Sequence, residues 1–346
     1  MAPIPSVVWK RYSVEFRELA DRANRSEKYV EACLEYAKPL VDRGLPIIFD
    51  LDHFSRLVGY DQRYLSLCCL APDMFYRRFQ IRKKSGGVRT IDEPLPSLKE
   101  IQRWIHDHLL SVLPVSRYAK GFVAGRGIRE NARFHRRQSV VLSLDITDFF
   151  PSIQRHRVYG IFRSIGYSQK VASLLGRLCT LDDCLPQGAP TSPMLSNLYA
   201  RRIDQRLGGF ARSKRLRYTR YADDITLSGK LDPGEVIKFV RKVLRTEGLV
   251  LNEKKTRAMY SHQCQEVTGI VVNDRLNTRR EFRRHIRKEL YYIKRYGLGS
   301  HLAYKGELRA HYLEHLEGLI AHALHVDPSS KEMMWARRLI SRLMEA

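Results

Sequence analysis

Two adjacent aspartates, Asp223 and Asp224, stand between two short apolar runs, Leu216–Arg220 and Ile225–Leu227. Runs of that length around a polar centre read as a β-hairpin with the carboxylates at its tip. Such a pair is hard to account for as structure, because its repulsion must be offset. A divalent cation is the natural partner, since hard cations take oxygen ligands and are held by one or two carboxylates plus substrate phosphates. Alone, an Asp-Asp turn is as readily a solvated turn. A second acidic segment, Leu144-Asp145-Ile146-Thr147-Asp148-Phe149-Phe150, changes that balance. Asp145 falls where a near-continuous apolar strand, Val140–Leu144, ends. A helix N-cap is the alternative for Asp145, and a cap or turn is the expected job of Asp148. Asp145, Asp223 and Asp224 together suit two cations about 4 Å apart, one for the attacking hydroxyl and one for the leaving phosphate oxygens.

The rest of the chain points to a polyanionic partner. Its 61 Lys and Arg against 37 Asp and Glu leave a net charge of +24, spread along all 346 residues. A folded body with that potential implies nucleic acid. No apolar segment reaches membrane-spanning length, and the start, MAPIPSVVWKRYSVEF, lacks a signal-peptide core, so a cytoplasmic location is expected. The six cysteines form no CxxC pair and read as reduced. The six histidines within 285–325 read as helix-surface or nucleic-acid-facing residues.

Periodicity predicts helices over about 10–43, 52–58 (with Asp52 as cap), 62–70, 98–113, 155–165, 168–180, 195–207, 233–247 and from Arg279 onward. It predicts strands over 75–82, 88–91, 140–144, 249–251 and 267–272, besides the 216–228 hairpin. Strands and helices alternate without Rossmann-type glycines, which suggests an α+β fold. Between the acid sites, LPQGAPTSPMLSN (185–197) combines prolines, a glycine and small residues. It reads as an ordinary loop, or as a platform on which a base pair rests.

The order of these segments is more specific than any one of them. IRKKSGGVRTIDEP, LDITDFF, LPQGAPTSPMLSN, RYADD and GLVLNEKKT, through about 75–275, resemble the motif series of reverse transcriptases. The resemblance implies a right-hand polymerase. Residues 1–75 would be a helical segment joining the fingers, 76–142 fingers, 143–278 palm (155–200 partly fingers) and 279–346 a basic helical thumb. It implies Asp145, Asp223 and Asp224 as ligands of two Mg²⁺ ions, with Mn²⁺ as a substitute. Lys83 (or Lys84) and Arg89 would meet the dNTP triphosphate, Gln187 would lie near the nucleotide, and Phe150 would reject a ribose 2′-OH by bulk. Lys254 or Lys255 would serve the pyrophosphate.

Asn131-Ala132-Arg133-Phe134-His135 fits NAxxH, and Val267-Thr268-Gly269 follows the NEKK segment. Together they resemble hallmarks of bacterial retron reverse transcriptases. On residues alone, His135 is equally a capping or packing residue, and Val267–Gly269 a strand ending at a turn. The retron resemblance implies binding of a cognate structured noncoding RNA, priming on a guanosine 2′-OH, a branched RNA–DNA product, and phage defence with an effector protein encoded nearby. No RNase H segment is recognisable, which leaves template trimming to a host enzyme. In Arg279–Gly297, Phe282, Ile286, Leu290 and Ile293 form an apolar stripe. Arg280, Arg284, Arg287 and Lys288 are among the cations around it, expected to meet RNA phosphates together with Asn131, His135 and Val267–Gly269. The competing readings are another bacterial reverse transcriptase with a different primer, such as a group II intron-like enzyme, and a non-catalytic RNA-binding protein on the same fold.

Overall fold

The computed structural model describes residues 6–82 and 86–345. The chain divides into one unit formed by Met1–Ser116 and Thr147–Gln205 and a second formed by Arg117–Ile146 and Arg206–Ala346. The first unit opens with α1 (Ser6–Arg22) and α2 (Glu27–Asp42), two helices where one was expected. The break lies at Asn24, whose φ of +50° no helix accommodates, and Ser26 then caps α2 by accepting from Tyr29 N. Helix α3 (Leu51–Val58) is capped by Asp50, which accepts from His53 N at 2.8 Å, and not by Asp52. Helix α4 (Gln62–Leu70) matches its expected bounds. A hairpin of β1 (Tyr76–Arg82) and β2 (Val88–Pro94) follows, then α5 (Pro96–Ile105), which widens into a single π turn over His106–Leu110.

The second unit begins with α6 (Ile128–Arg133) and β3 (Val140–Asp145). The chain returns to the first for α7 (Arg155–Ser164), α8 (Gln169–Leu178) and α9 (Ser192–Tyr199). Helix α10 (Arg201–Ser213) starts after a break at Ala200, inside the stretch expected to be one helix. The second unit then adds β4 (Arg217–Tyr221), β5 (Asp224–Gly229) and α11 (Pro233–Thr246). After these come β6 (Arg257–Tyr260), β7 (Glu266–Val267) and β8 (Ile270–Val271). It closes with α12 (Arg280–Tyr296), α13 (Leu298–Lys305), α14 (Tyr312–Val326) and α15 (Lys331–Glu345).

Strands and helices combine as an α+β fold whose sheets are antiparallel. The second unit's main sheet runs β4-β5-β3-β6. β3 lies inside it, which is why its sequence is a continuous apolar run: Val141, Leu142 and Leu144 are wholly buried. The expected strand at 249–251 reduces to one bridge, Leu251 with Ile146. Ile286, Leu290 and Ile293 of α12 form a separate core with Leu316 and Ile320 of α14 and Met333 and Ile340 of α15. Among the described residues no helix is long and apolar enough to cross a membrane, and none of the six cysteines is disulfide-bonded.

Candidate active site

Strand register brings the acidic segments together. β3 pairs with β5 so that Asp145 stands opposite Asp224, and opposed residues of an antiparallel pair hold their Cβ atoms about 4.5–5.5 Å apart on one face. Asp223 shares with Ala222 the two-residue turn between β4 and β5, and its carbonyl accepts from Ile146 N at 3.1 Å. Ala222 has φ +55°, a left-handed conformation that costs a non-glycine residue roughly 1–2 kcal/mol. Its surroundings hold it there. The wholly buried Arg220 donates from Nη1 to Ala222 O at 3.0 Å. Residues 118–120 pair along β4, with Lys120 N to Arg220 O at 2.7 Å and Arg220 N to Tyr118 O at 2.8 Å. Gly121 backs the tip so closely that a Cβ there would stand 2.9 Å from Ala222 N.

The site carries more negative charge than it can settle by itself. Burial, then the charges of Asp223 and Asp145, push the Asp224 carboxyl up to about 7 against the opposing pull of Lys255. Asp145 accepts from Lys255 Nζ at 2.9 Å and from Asn252 Nδ2 at 3.1 Å. That hydrogen bond holds the Lys255 ammonium above its usual range, and Asp145, Asp223 and Asp224 add to the effect. Among the described residues no three His, Cys, Asp or Glu side chains converge as a ready-made metal-ligand set. The donors are nevertheless of the kind a hard cation takes, oxygen only and over-charged, with Lys255 standing where positive charge is needed. The lysine on Asp145 is thus Lys255; Lys254 shares its short 3₁₀ turn, Glu253–Lys255.

A groove of about 740 Å³ is lined by Asp224, Ser143, Arg257, Glu266, Thr268, Gly269 and Arg280. Thr268 (φ +47°) and Gly269 (φ +82°) make the tight turn between β7 and β8, the left-handed pair that two-residue hairpins favour. Asn131, His135 and Val267 do not face outward, which corrects their expected RNA contact. Asn131 and Val267 are buried, and His135 is wholly so. His135 joins Ser228 Oγ and Thr219 Oγ1, both at 2.7 Å, and so ties β5 to β4. Burial first, with Arg217 nearby, pushes its imidazole down to about 3, so it is neutral. Asn131 donates to Thr268 Oγ1 at 3.4 Å, and Ala132 packs among Val267, Ile270 and Val272. On α12, Arg284 and Lys288 are exposed, whereas Arg287 is paired with Glu332 at 2.7 Å. His301 is another correction: it is buried against Glu289 at 2.7 Å.

In the first unit, Arg89 and Gln187 line one depression of about 290 Å³ together with Asp148. Phe150 is half-buried beside Phe149. Within 185–197, Gly188 packs closely on a neighbouring strand. It has φ +143°, and a Cβ there would fall 2.6 Å from Asp92 O, so the space it leaves is filled by β2. Lys83 and Lys84 lie outside the described residues. Sequence reasoning passed over Asn252, Arg220 and Gly121. Only Arg220, a cation one residue from the acidic turn, carried a usable signal.

The family described as "Reverse transcriptase (RNA-dependent DNA polymerase)" matches residues 81–282. The chain is 34% identical over 304 residues to the retron Ec86 reverse transcriptase of Escherichia coli, covering 86% of this chain and 89% of that one. It is 38% identical over 285 residues to the retron Mx65 reverse transcriptase of Myxococcus xanthus, covering 76% of this chain and 64% of that one. Among solved structures, a telomerase from Candida albicans in complex with a telomeric RNA fragment overlaps 78% of this chain and 63% of its own, at 10% identity and a TM-score of 0.42.

Proposed function

Because the chain belongs to the reverse transcriptase family, and within it to the retron enzymes, we propose that it copies a structured noncoding RNA of its own from a guanosine 2′-OH. RNA-directed DNA polymerisation is the activity of that family. The product would be single-stranded DNA joined to RNA through a 2′–5′ branch, made in phage defence beside an effector protein encoded nearby. The observation that carries the polymerase reading is the register that sets Asp145 against Asp224, with Asp223 at the turn and Lys255 as their counter-charge.

Reverse transcriptases work with divalent ions, and Asp145, Asp223 and Asp224 would hold two Mg²⁺, or Mn²⁺ in their place, to activate the attacking hydroxyl and steady the leaving oxygens. Asp145, whose oxygens accept from Lys255 Nζ and Asn252 Nδ2 here, would be the ligand that β3 contributes. Lys255 would supply a proton and a positive charge for the departing pyrophosphate, the role foreseen for Lys254 or Lys255. Arg89 and Gln187 would bind the incoming nucleotide, with Lys83 as a further cation, and Phe150 would exclude a ribose by volume. Thr268, Gly269 and Arg280 would hold the nucleic acid strand that ends at Asp224. Arg284, Arg287 and Lys288 would meet RNA phosphates on a thumb formed by the C-terminal helices, with fingers and palm before it.

The test is synthesis by the purified chain with its own noncoding RNA, dNTPs and Mg²⁺. A short cDNA that debranching enzyme separates from RNA is expected, and Asp223→Asn with Asp224→Asn should abolish it. A product without a 2′–5′ linkage refutes the priming mode, and synthesis retained in the double variant refutes the site.

A further inference from the structure

A further cavity, of about 520 Å³, lies between α12 and α13, lined by Lys288, Tyr292, Tyr296, His301, Tyr304 and Lys305. Its size is within the range of small-ligand sites. Its walls are aromatic. The Tyr292 ring lies nearly parallel to His301, at 5.8 Å and 12°, and to Tyr296, at 6.1 Å and 22°. Packing does not explain them all: Tyr304 is 92% exposed and Tyr296 61%. Aromatic rings gathered around an open cavity are a surface a folded chain keeps for a partner.

The floor is built. Glu289 Oε2, buried, accepts from Tyr312 Oη at 2.6 Å, His301 Nε2 at 2.7 Å and Lys305 Nζ at 3.0 Å. Those three bonds fix the His301 ring and the Lys305 stem, so the walls are set before anything binds. The charge around the cavity selects among flat ligands. Arg284, Lys288, Tyr291 and Arg295 recur along α12 at the spacing of a single helix face, and all four are exposed. Cations in a row suit successive phosphates, and rings at their edge suit a base.

We propose that this cavity stacks an unpaired nucleobase of single-stranded RNA whose phosphates lie along the Arg284–Arg295 face of α12. A base inside a duplex already has stacking partners on both sides and cannot enter, so the site takes looped or splayed nucleotides. The proposal rests on the RNA-binding reading above and adds to it a place where single strands are told from duplex.

The assay is fluorescence anisotropy of the full-length chain with fluorescein-labelled (rA)10 and, in parallel, a blunt 12-base-pair RNA duplex. Loss of one base–aromatic stack corresponds to about 5- to 150-fold in Kd. Tyr304→Ala is therefore expected to weaken (rA)10 by that factor with its salt dependence unchanged, while duplex binding moves less than twofold. Tyr304→Phe should restore affinity. Lys288→Ala should instead lower the slope of log Kd against log salt by about one. Tyr304 is exposed enough for the variant to keep its melting temperature, and Tyr296→Ala serves as a second probe. An (rA)10 affinity within twofold of wild type in both alanine variants, or an equal loss for duplex, overturns the proposal. Extension of a DNA primer on an RNA template by the wild-type chain separates the two readings. An active enzyme without a tyrosine effect sinks the cavity alone. An inactive enzyme sinks the polymerase reading and leaves the (rA)10 comparison to decide the cavity.

Discussion

His135→Gln tests whether the hairpin that carries Asp223 and Asp224 is stapled from behind by a neutral histidine. In the folded chain the ring lies between two hydroxyls at 2.7 Å each, and burial pushes its pKa down to about 3. A neutral imidazole fits there, donating to one hydroxyl and accepting from the other. In the unfolded chain the same ring titrates near 6.5. The unfolded state therefore binds the extra proton, and the staple's contribution is complete above pH 6.5 and lost as pH falls below it. At pH 5 the unfolded ring is about 97% protonated while the folded ring is still neutral. With about 1.36 kcal/mol per pKa unit, the wild type should lose roughly 2 kcal/mol between pH 7.5 and pH 5 through this residue alone. Glutamine has no such titration, so that part of the pH dependence should vanish. At pH 7.5 the variant should already be weaker by about 1–3 kcal/mol, because a side chain of different shape leaves one buried hydroxyl unpaired. Urea unfolding by circular dichroism, at both pH values and in the presence of Mg²⁺, measures both effects. Asp224 and the remaining carboxylates titrate alike in the two proteins and cancel in the comparison. A pH loss in the variant within 0.5 kcal/mol of the wild type's would refute the buried neutral staple.

Four other outcomes follow from the same site. With Asp224 near pKa 7 in the metal-free chain, Mg²⁺ should displace about three-quarters of a proton at pH 6.5 and almost none at pH 8.5; calorimetry in buffers of different ionisation enthalpy reads this, and a pH-independent count refutes it. The same raised pKa means that the metal-free chain loses stability as pH rises from about 4 through 7. Lys255→Ala should lower kcat for nucleotide addition by about a hundredfold, and Lys254→Ala by less than threefold, because only Lys255 reaches Asp145; equal losses in single-turnover assays contradict that choice. Gly121→Ala drives a Cβ against Ala222 N and should cost about 1–3 kcal/mol along with most DNA synthesis, whereas Gly209→Ala, with open space around it, should be neutral or slightly stabilising in thermal melts.

What could be read without coordinates was set by local chemistry. Helix α4 and strand β3 declare themselves, one through its period and the other through an unbroken apolar run, and the acidic positions follow from where those runs end. The cap of α3 did not, because Asp50 and Asp52 are equally able acceptors and only the backbone angles at Asp50 decide between them. Nor did the break between α1 and α2, which rests on one left-handed asparagine with no proline or glycine to announce it. Strand β6 has no alternation of its own and exists because β3 offers it an edge. The choice between Lys254 and Lys255 needed the phase of a short 3₁₀ turn, which composition cannot supply.

The two signatures that seemed to speak for RNA contact belong instead to one mechanical arrangement. Asn131 and His135 are four residues apart around the end of α6. One reaches Thr268 in the turn between β7 and β8, and the other ties β4 to β5. Ala132 between them is packed under that turn, in the cluster that holds Val267, Ile270 and Val272. The turn itself, through Thr268 and Gly269, lines the groove that Asp224 also lines. The C-terminal end of α6 and His135 just past it therefore connect the turn in the groove wall to the hairpin carrying the carboxylates. Residues nearly 140 positions apart in sequence meet in one arrangement that links the groove wall to the acidic tip. Thr268 and Gly269 line the groove, whereas Asn131, His135 and Val267 are buried behind it and set where that wall stands.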